Sequence, residues 1–478
     1  MRDALHIFRK DVRCFRELAL AVVSLLAMNA AIEAFFPKLV ARQDIQPVLQ
    51  ALAALVAAFL IAYAVHQERL VGDGQYWITR PISWRSVMLA KLLLIAVFIN
   101  VPLWIGQSIA LIANGLSPVA YLPALLRNQF LFTTQVSLLA TALAAITARY
   151  SSFVLMSVVW LTAVTTSNWL GWPGLEWFRS DALALTMFAG VAAILWLQYS
   201  RRGEPILPRV LTVALAGVLI LERLFTPWHA AFALAVRNSP RTVDSAIARL
   251  SYRAATTPHR AGPADEELPL VLYIPVDVAG VPNDVDITDD RARLRIAAAG
   301  GGSWDSGWSA SARFAGRLEN GRDWLIADTD PRFYNRWRTA TVDLRASIAF
   351  TLREGPSRAI VPLSGDLQTL PDAGLCTVAA DFGAPVPVCL SPVATGALVL
   401  LRFPAPYDAG PRRVPALELP FDLGAGIWHR VEGPRPFGTP PVSSQYHLEA
   451  WRPTARFERE VDIRGVRLTD LTAMEPRL

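Results

Sequence analysis

Charged residues make up only 18% of this 478-residue chain, which has three cysteines and six histidines. No glycine-rich loop ends in Gly-Lys-Ser or Gly-Lys-Thr, so the chain cannot bind ATP through a P-loop of its own. His6, His66, His229, His259, His429 and His447 stand apart, without the His-Glu-x-x-His or paired-Cys spacing of a zinc site. The absence of a Gly-x-Ser-x-Gly turn removes the simplest hydrolase. The apolar runs carry no clustered acid, base or nucleophile, which counts against an intramembrane enzyme. Asp284, Asp286, Asp289 and Asp290 lack the turn glycine and terminal glutamate of a calcium loop and fit a solvated hairpin. Neither metal, cofactor nor catalysis is therefore expected of this chain.

What the first half has instead is long hydrophobic runs. The mean hydropathy of +0.33 comes almost wholly from it. Runs close to the roughly 20 residues that cross a bilayer occur at about 18–36, 48–65, 87–113, 125–148, 153–170, 182–199 and 207–221. They predict a helical membrane bundle of six to seven spans over 18–225. The net charge of +6 is not a nucleic-acid signal, because the basic residues sit at span ends. Arg2, Arg9, Lys10, Arg13 and Arg16, then Arg69, Arg80, Arg85 and Lys91, then Arg149, then Arg201, Arg202 and Arg209 gather on one side. The positive-inside rule places that side, and the N-terminus, in the cytoplasm, here of a bacterial inner membrane. An odd number of spans puts everything after residue 225 outside. The first apolar run is full length and is closed by no small-x-small cleavage signal, so it is not a signal peptide. Residues 1–17 read as an amphipathic interfacial helix, with Leu5, Phe8, Val12 and Phe15 recurring at helical spacing.

The segment His66–Lys91 is polar and lies between two of these runs. It includes Glu68, Arg69, Gly72, Gly74, Gln75, Tyr76, Trp77, Arg80, Pro81, Ile82, Ser83, Trp84 and Arg85. Gly72 and Gly74 end a helix, Pro81 suits the first turn of the next, and Lys91 is placed to snorkel toward the headgroups. The order Glu-Arg, two spacers, Gly, then Pro81-Ile82-Ser83, then Ala90-Lys91 leading into a span resembles the membrane subunit of type-2 ABC exporters. It departs from that pattern at Gln75–Thr79, where the family commonly shows an acidic, leucine-rich run. The resemblance implies that this stretch docks on a separate P-loop ATPase subunit, with Tyr76, Trp77, Arg80, Pro81 and Arg85 as contacts and Glu68 and Arg69 anchoring its entry. It also implies a second permease subunit, identical or similar, and an interfacial elbow over residues 1–17. An ordinary basic loop is the plainer alternative. Asn100, Gln107 and Gln135 are candidates for the pathway, or simply interhelical hydrogen bonds, and Glu33 is placed at the outer interface.

Residues 226–266 predict a juxtamembrane helix and linker, after which the hydrophobic period changes to two. Val342, Leu344, Ala346, Ile348, Phe350 and Leu352 alternate with polar residues, the pattern of a half-buried antiparallel strand. Similar short runs over 267–478 predict a β-rich, sandwich-like extracytoplasmic domain, or a pair of smaller β-modules. Gly300, Gly301 and Gly302 read as a flexible turn. Cys376 and Cys389 would pair in an oxidising compartment, with two buried free thiols as the alternative. Two functions are compatible with this organisation: an ABC-type permease subunit driven by a partner ATPase, or a non-transporting bundle that anchors an outer binding module.

Overall fold

The computed structural model describes residues 2–37, 40, 46–68, 83–169, 176–200, 206–225, 228–237, 239, 241–244, 246–254, 270–282, 285–308, 312–317, 323–362, 367–370, 373–381, 384–392, 398–402, 426–432 and 445–472. The chain divides into two units. One comprises residues 1–226 with 358–395 and 399–449, the other 227–357 with 396–398 and 450–478.

The first unit begins with α1 (Arg2–Phe35), whose helical geometry breaks at Phe15 (φ −113°, ψ 17°). The break separates an amphipathic segment, which buries Ala4, Ile7 and Asp11 while exposing Arg2, Arg9 and Arg13, from an apolar span. Then come α2 (Gln46–Gln67), α3 (Trp84–Ala113), α4 (Leu122–Ile146), α5 (Tyr150–Trp169), α6 (Glu176–Ser200) and α7 (Ile206–Phe225). Among the described residues five helices are long and apolar enough to cross a membrane, fewer than the sequence count of six to seven. The fifth and seventh runs do form helices. Their apolar stretches among the described residues, Tyr150–Thr162 and Ile206–Leu221, fall short of a crossing length.

α3 starts where Ser83 Oγ accepts the backbone N–H of Ser86 at 3.2 Å, an N-cap. Its first turn contains Arg85, whose guanidinium lies over the Trp84 ring. At Ala96–Asn100 the helix widens into a π turn. Pro102 follows directly and has no N–H to donate to the carbonyl one turn back, which accounts for the local rearrangement. Gly106 lets α1 approach: a Cβ there would lie 2.8 Å from Ala30 Cβ. A second π turn occupies Thr133–Leu138 of α4, and Thr141 Oγ1 donates to the Ser137 carbonyl at 2.6 Å beside it. Four short strands complete this unit: β8 (Gln368–Leu370), β9 (Gly374–Asp381), β10 (Ala384–Ser391) and β12 (His429–Glu432), in the order β12-β10-β9-β8.

The second unit opens with α8 (Trp228–Arg237), at the predicted juxtamembrane helix. Two antiparallel sheets follow. One has the order β1-β2-β6-β5, from β1 (Arg249–Tyr252), β2 (Leu270–Ala279), β6 (Asp323–Thr329) and β5 (Ala312–Arg317). β1 falls inside the stretch expected to be linker and pairs with the end of β2. The other has the order β11-β13-β7-β3-β4, from β3 (Val285–Ala298), β4 (Ser303–Asp305), β7 (Thr341–Pro362), β11 (Leu398–Arg402) and β13 (Gln445–Arg467), of which residues 358–362, 399–402 and 445–449 are counted with the first unit. β7 and β13 each merge two strands that the sequence suggested separately. Leu272, Ile274 and Val276 of one sheet and Leu294, Ile296, Leu344 and Ile348 of the other belong to one hydrophobic core. The alternation in β7 holds for Val342–Ala346. From Ser347 to Leu352 both faces are buried, and the Ser347 hydroxyl donates to Glu460 Oε1 at 2.9 Å. The glycine turn is a packing surface: Cβ atoms on Gly300 or Gly302 would come within 2.7 Å of the Trp337 ring.

Candidate functional site

The polar loop between α2 and α3 has no described structure, so Arg69, Tyr76, Trp77, Arg80 and Pro81 lie outside the described residues. Its two ends are described, and they are tied to each other. Glu68 follows the last turn of α2, and Lys91 stands two turns into α3. Lys91 Nζ pairs with the Glu68 carboxylate and, at 2.6 Å, with Asp11 Oδ2 in the amphipathic part of α1. Lys10 Nζ also pairs with Glu68 and lies 3.7 Å from Asp11 Oδ1. Asp11 is 0% and Lys91 3% exposed, so Lys91 does not snorkel to a headgroup. A compact ammonium carries three donors, and here it satisfies two buried carboxylates at once.

Around this cluster the same end of the bundle is pinned twice more. His66 Nε2 lies 3.1 Å from the Ala144 carbonyl and 3.2 Å from Thr147 Oγ1, where α4 ends. Arg209 Nε donates to the Ile146 carbonyl at 3.4 Å. Helices α1, α2, α3, α4 and α7 thus all have anchored ends at the base of the loop. Arg85 lies in the first turn of α3, directly after the N-cap at Ser83.

Sequence reasoning singled out Glu68 and missed Asp11 and His66. One signal was present: of 46 basic residues only Lys10, Lys38 and Lys91 are lysines, and two of these three meet at this cluster.

The structure places the pathway candidates on α3 and α4. Asn100 closes the π turn of α3 and its Oδ1 accepts from Thr133 Oγ1, the first residue of the π turn in α4, at 3.3 Å. Gln107 is buried in α3, two turns further on, and Gln135 is partly buried within the α4 π turn.

At the far end of α1 a second polar cluster centres on Glu33, which is fully buried and not at an exposed interface. Glu33 Oε1 accepts from Gln46 Nε2 at 2.7 Å and from Asn29 Nδ2 at 3.2 Å, and Oε2 accepts from the backbone N–H of Ile427 at 3.4 Å. Asn114 at the end of α3 donates to the Glu33 carbonyl at 3.2 Å. Ile427 and Trp428 join Ala34, Ala110, Leu111 and Leu125 of the helices and Val386, Val388 and Leu390 of β10 in one apolar cluster. Cys376 and Cys389, directly opposite one another in β9 and β10, are joined by a disulfide in this sheet. Residues 374–432 of the outer region predicted as one domain therefore belong with the bundle. Asp11 and Glu33 are 22 residues apart on α1, on the order of 30 Å of helix and about one bilayer core.

Among the described residues no group of three or more His, Cys, Asp or Glu side chains is arranged to hold a metal. Comparison with protein-family models, with curated proteins and with solved structures finds no match to this chain.

Proposed function

We propose that the chain is the membrane-spanning permease subunit of an ABC-type exporter, worked by a separate P-loop ATPase that docks on the loop between α2 and α3. The observation that carries this reading is the Asp11–Lys91–Glu68 cluster. It joins both ends of the loop to the amphipathic segment of α1, so a push on the loop is passed to three helices through buried ion pairs. The resemblance of Glu68-Arg69 and Pro81-Ile82-Ser83 to the type-2 exporter pattern supports the same reading. In it Tyr76, Trp77, Arg80 and Pro81 contact the ATPase, and a second permease subunit completes the transporter.

The topology follows the same logic. With the arginine-rich segment of α1 on the cytoplasmic side, the far end of the bundle, where Glu33 meets Ile427, faces outward. The sheet β8–β10 with β12 packs on that end, which supports an extracytoplasmic place for it whatever the number of spans. A core shared by two sheets supports a sandwich-like arrangement of the second unit.

A test is affinity purification of the full chain from its native membranes, wild type against the Trp77→Ala/Arg80→Ala double variant. The wild type carries a P-loop ATPase, identified by mass spectrometry, together with vanadate-sensitive ATP hydrolysis. The double variant inserts normally and loses both, because truncating an interface anchor costs about 2 kcal/mol or more. An unchanged complex, or a wild type that brings down no ATPase, would transfer the assignment to a bundle that only anchors the outer β region.

A further inference from the structure

We infer that Gly426–Trp428 is a strap that closes the far end of the helix bundle, with Glu33 as its receptor. The inference does not rest on an ATPase partner.

The seat for this segment is assembled from three helices. Asn29 and Glu33 come from α1, Gln46 and Gln50 from α2, and Asn128 from α4. A Cβ on Gly426 would lie 2.3 Å from Gln50 Nε2, 2.5 Å from Glu33 Oε1 and 3.1 Å from Gln46 Nε2. A side chain there would have to push these three polar side-chain ends aside and so disturb the seat. The main chain is gripped from both directions: Asn128 Nδ2 donates to the Gly426 carbonyl at 3.0 Å, and the Ile427 N–H donates to Glu33 Oε2. The next two side chains then fill the apolar rim. Ile427 is fully buried and Trp428 nearly so, against Ala34, Ala110, Leu111 and Leu125.

Glu33 explains why the contact is a closure and not ordinary packing. A carboxylate at the end of three membrane helices is costly when buried without a partner. Its carboxylate accepts from amide donors, two from the helices and one from the strap itself. Lifting the strap removes one donor and exposes the carboxylate and its apolar rim to water, so the seat has a second state in which the carboxylate is hydrated. In the state described here the bundle is shut at this end, and opening it toward this side requires residues 426–428 to leave.

The test uses the full chain in lipid nanodiscs, where a soluble probe reaches both faces and neither topology nor ATPase matters. In a Cys14→Ser background, Ala34→Cys places a small thiol in the rim beneath the strap. A membrane-impermeant maleimide should modify it slowly, and at least tenfold faster when Gly426→Val is added. Equal rates in a double variant that remains monodisperse, with its Cys376–Cys389 bond intact, would overturn the inference. Hydrogen exchange on the unmodified protein provides a reading free of substitutions in the strap. The Ile427 amide should be protected at least a hundredfold in the wild type and lose most of that protection in Glu33→Ala. A wild-type Ile427 amide that exchanges at the rate of an open chain would equally refute the strap.

Discussion

The two ends of the helix bundle solve the same problem in different ways. At one end Asp11 and Glu68 are buried against Lys91, so charge is compensated by charge. At the other, among the described residues, Glu33 is buried among amide donors, so charge is met by dipoles. A salt-bridged cluster is rigid, since removing any member strands its partners in a low-dielectric setting. An amide-lined carboxylate can exchange its protein donors for water with less loss. The comparison assigns stiffness to the end that carries the loop and mobility to the end covered by the sheet.

Lys91→Ala probes the stiff end and should have the largest effect. It takes from Asp11 its close ammonium and leaves Glu68 with Lys10, a loss of about 3–5 kcal/mol, read as a drop in the thermal midpoint of the protein in detergent. Replacing Asp11, Glu68 and Lys91 together with leucine or methionine should restore most of it. If the triple variant is as unstable as Lys91→Ala, packing and not charge holds this end.

The covered end depends on its sheet. Reducing Cys376–Cys389 releases a constraint between positions 13 residues apart, worth about 2–4 kcal/mol. Chemical unfolding with and without reductant measures it, and mass spectrometry without reduction checks the pairing in native membranes. A smaller loss, about 1–3 kcal/mol, is expected for Glu33→Ala, which orphans the donors of Asn29, Gln46 and Ile427. A loss equal to that of Lys91→Ala would erase the distinction between the two ends.

The smallest effect belongs to the second unit and calibrates the others. Arg293 donates to Asp305 Oδ1 at 2.9 Å on an exposed surface, and this hydrogen bond holds the Asp305 carboxyl below its ordinary value. The contribution is present above the ordinary carboxylate range and fades as pH falls through the lowered value, below about pH 4. Arg293→Ala should cost only about 0.2–1 kcal/mol, with a change in stability between pH 7 and pH 3 smaller than that of the wild type.

How much of this was legible in the sequence follows from range. The spans were, because about 20 apolar residues in a row mark a helix without reference to anything else. So was the first part of β7, where Val342, Leu344 and Ala346 keep period two. The burial of its second face from Ser347 was not, because the partner of Ser347 is Glu460 in another strand. Glu68 stood out as a charge at a span end. Its pairing with Lys91, and that of Lys91 with Asp11 at a separation of 80 residues, left no periodic trace. The tie between Glu33 and Ile427 was further out of reach, since Gly426 reads as any loop glycine until the atoms around it are known.

The contact between Glu33 and Ile427 spans 394 residues, and that distance sets an order of events during synthesis. At 5–20 residues per second the ribosome needs about 20–80 s after making Glu33 to produce its last donor. Lys91, the partner of Asp11, is made within about the first 3–12 s of that interval. For most of its biogenesis the bundle is therefore tied at one end and lacks the strap at the other, with the Glu33 carboxylate one donor short. Any chain truncated before residue 426 would carry that unstrapped end permanently, and quality-control proteases would find it there.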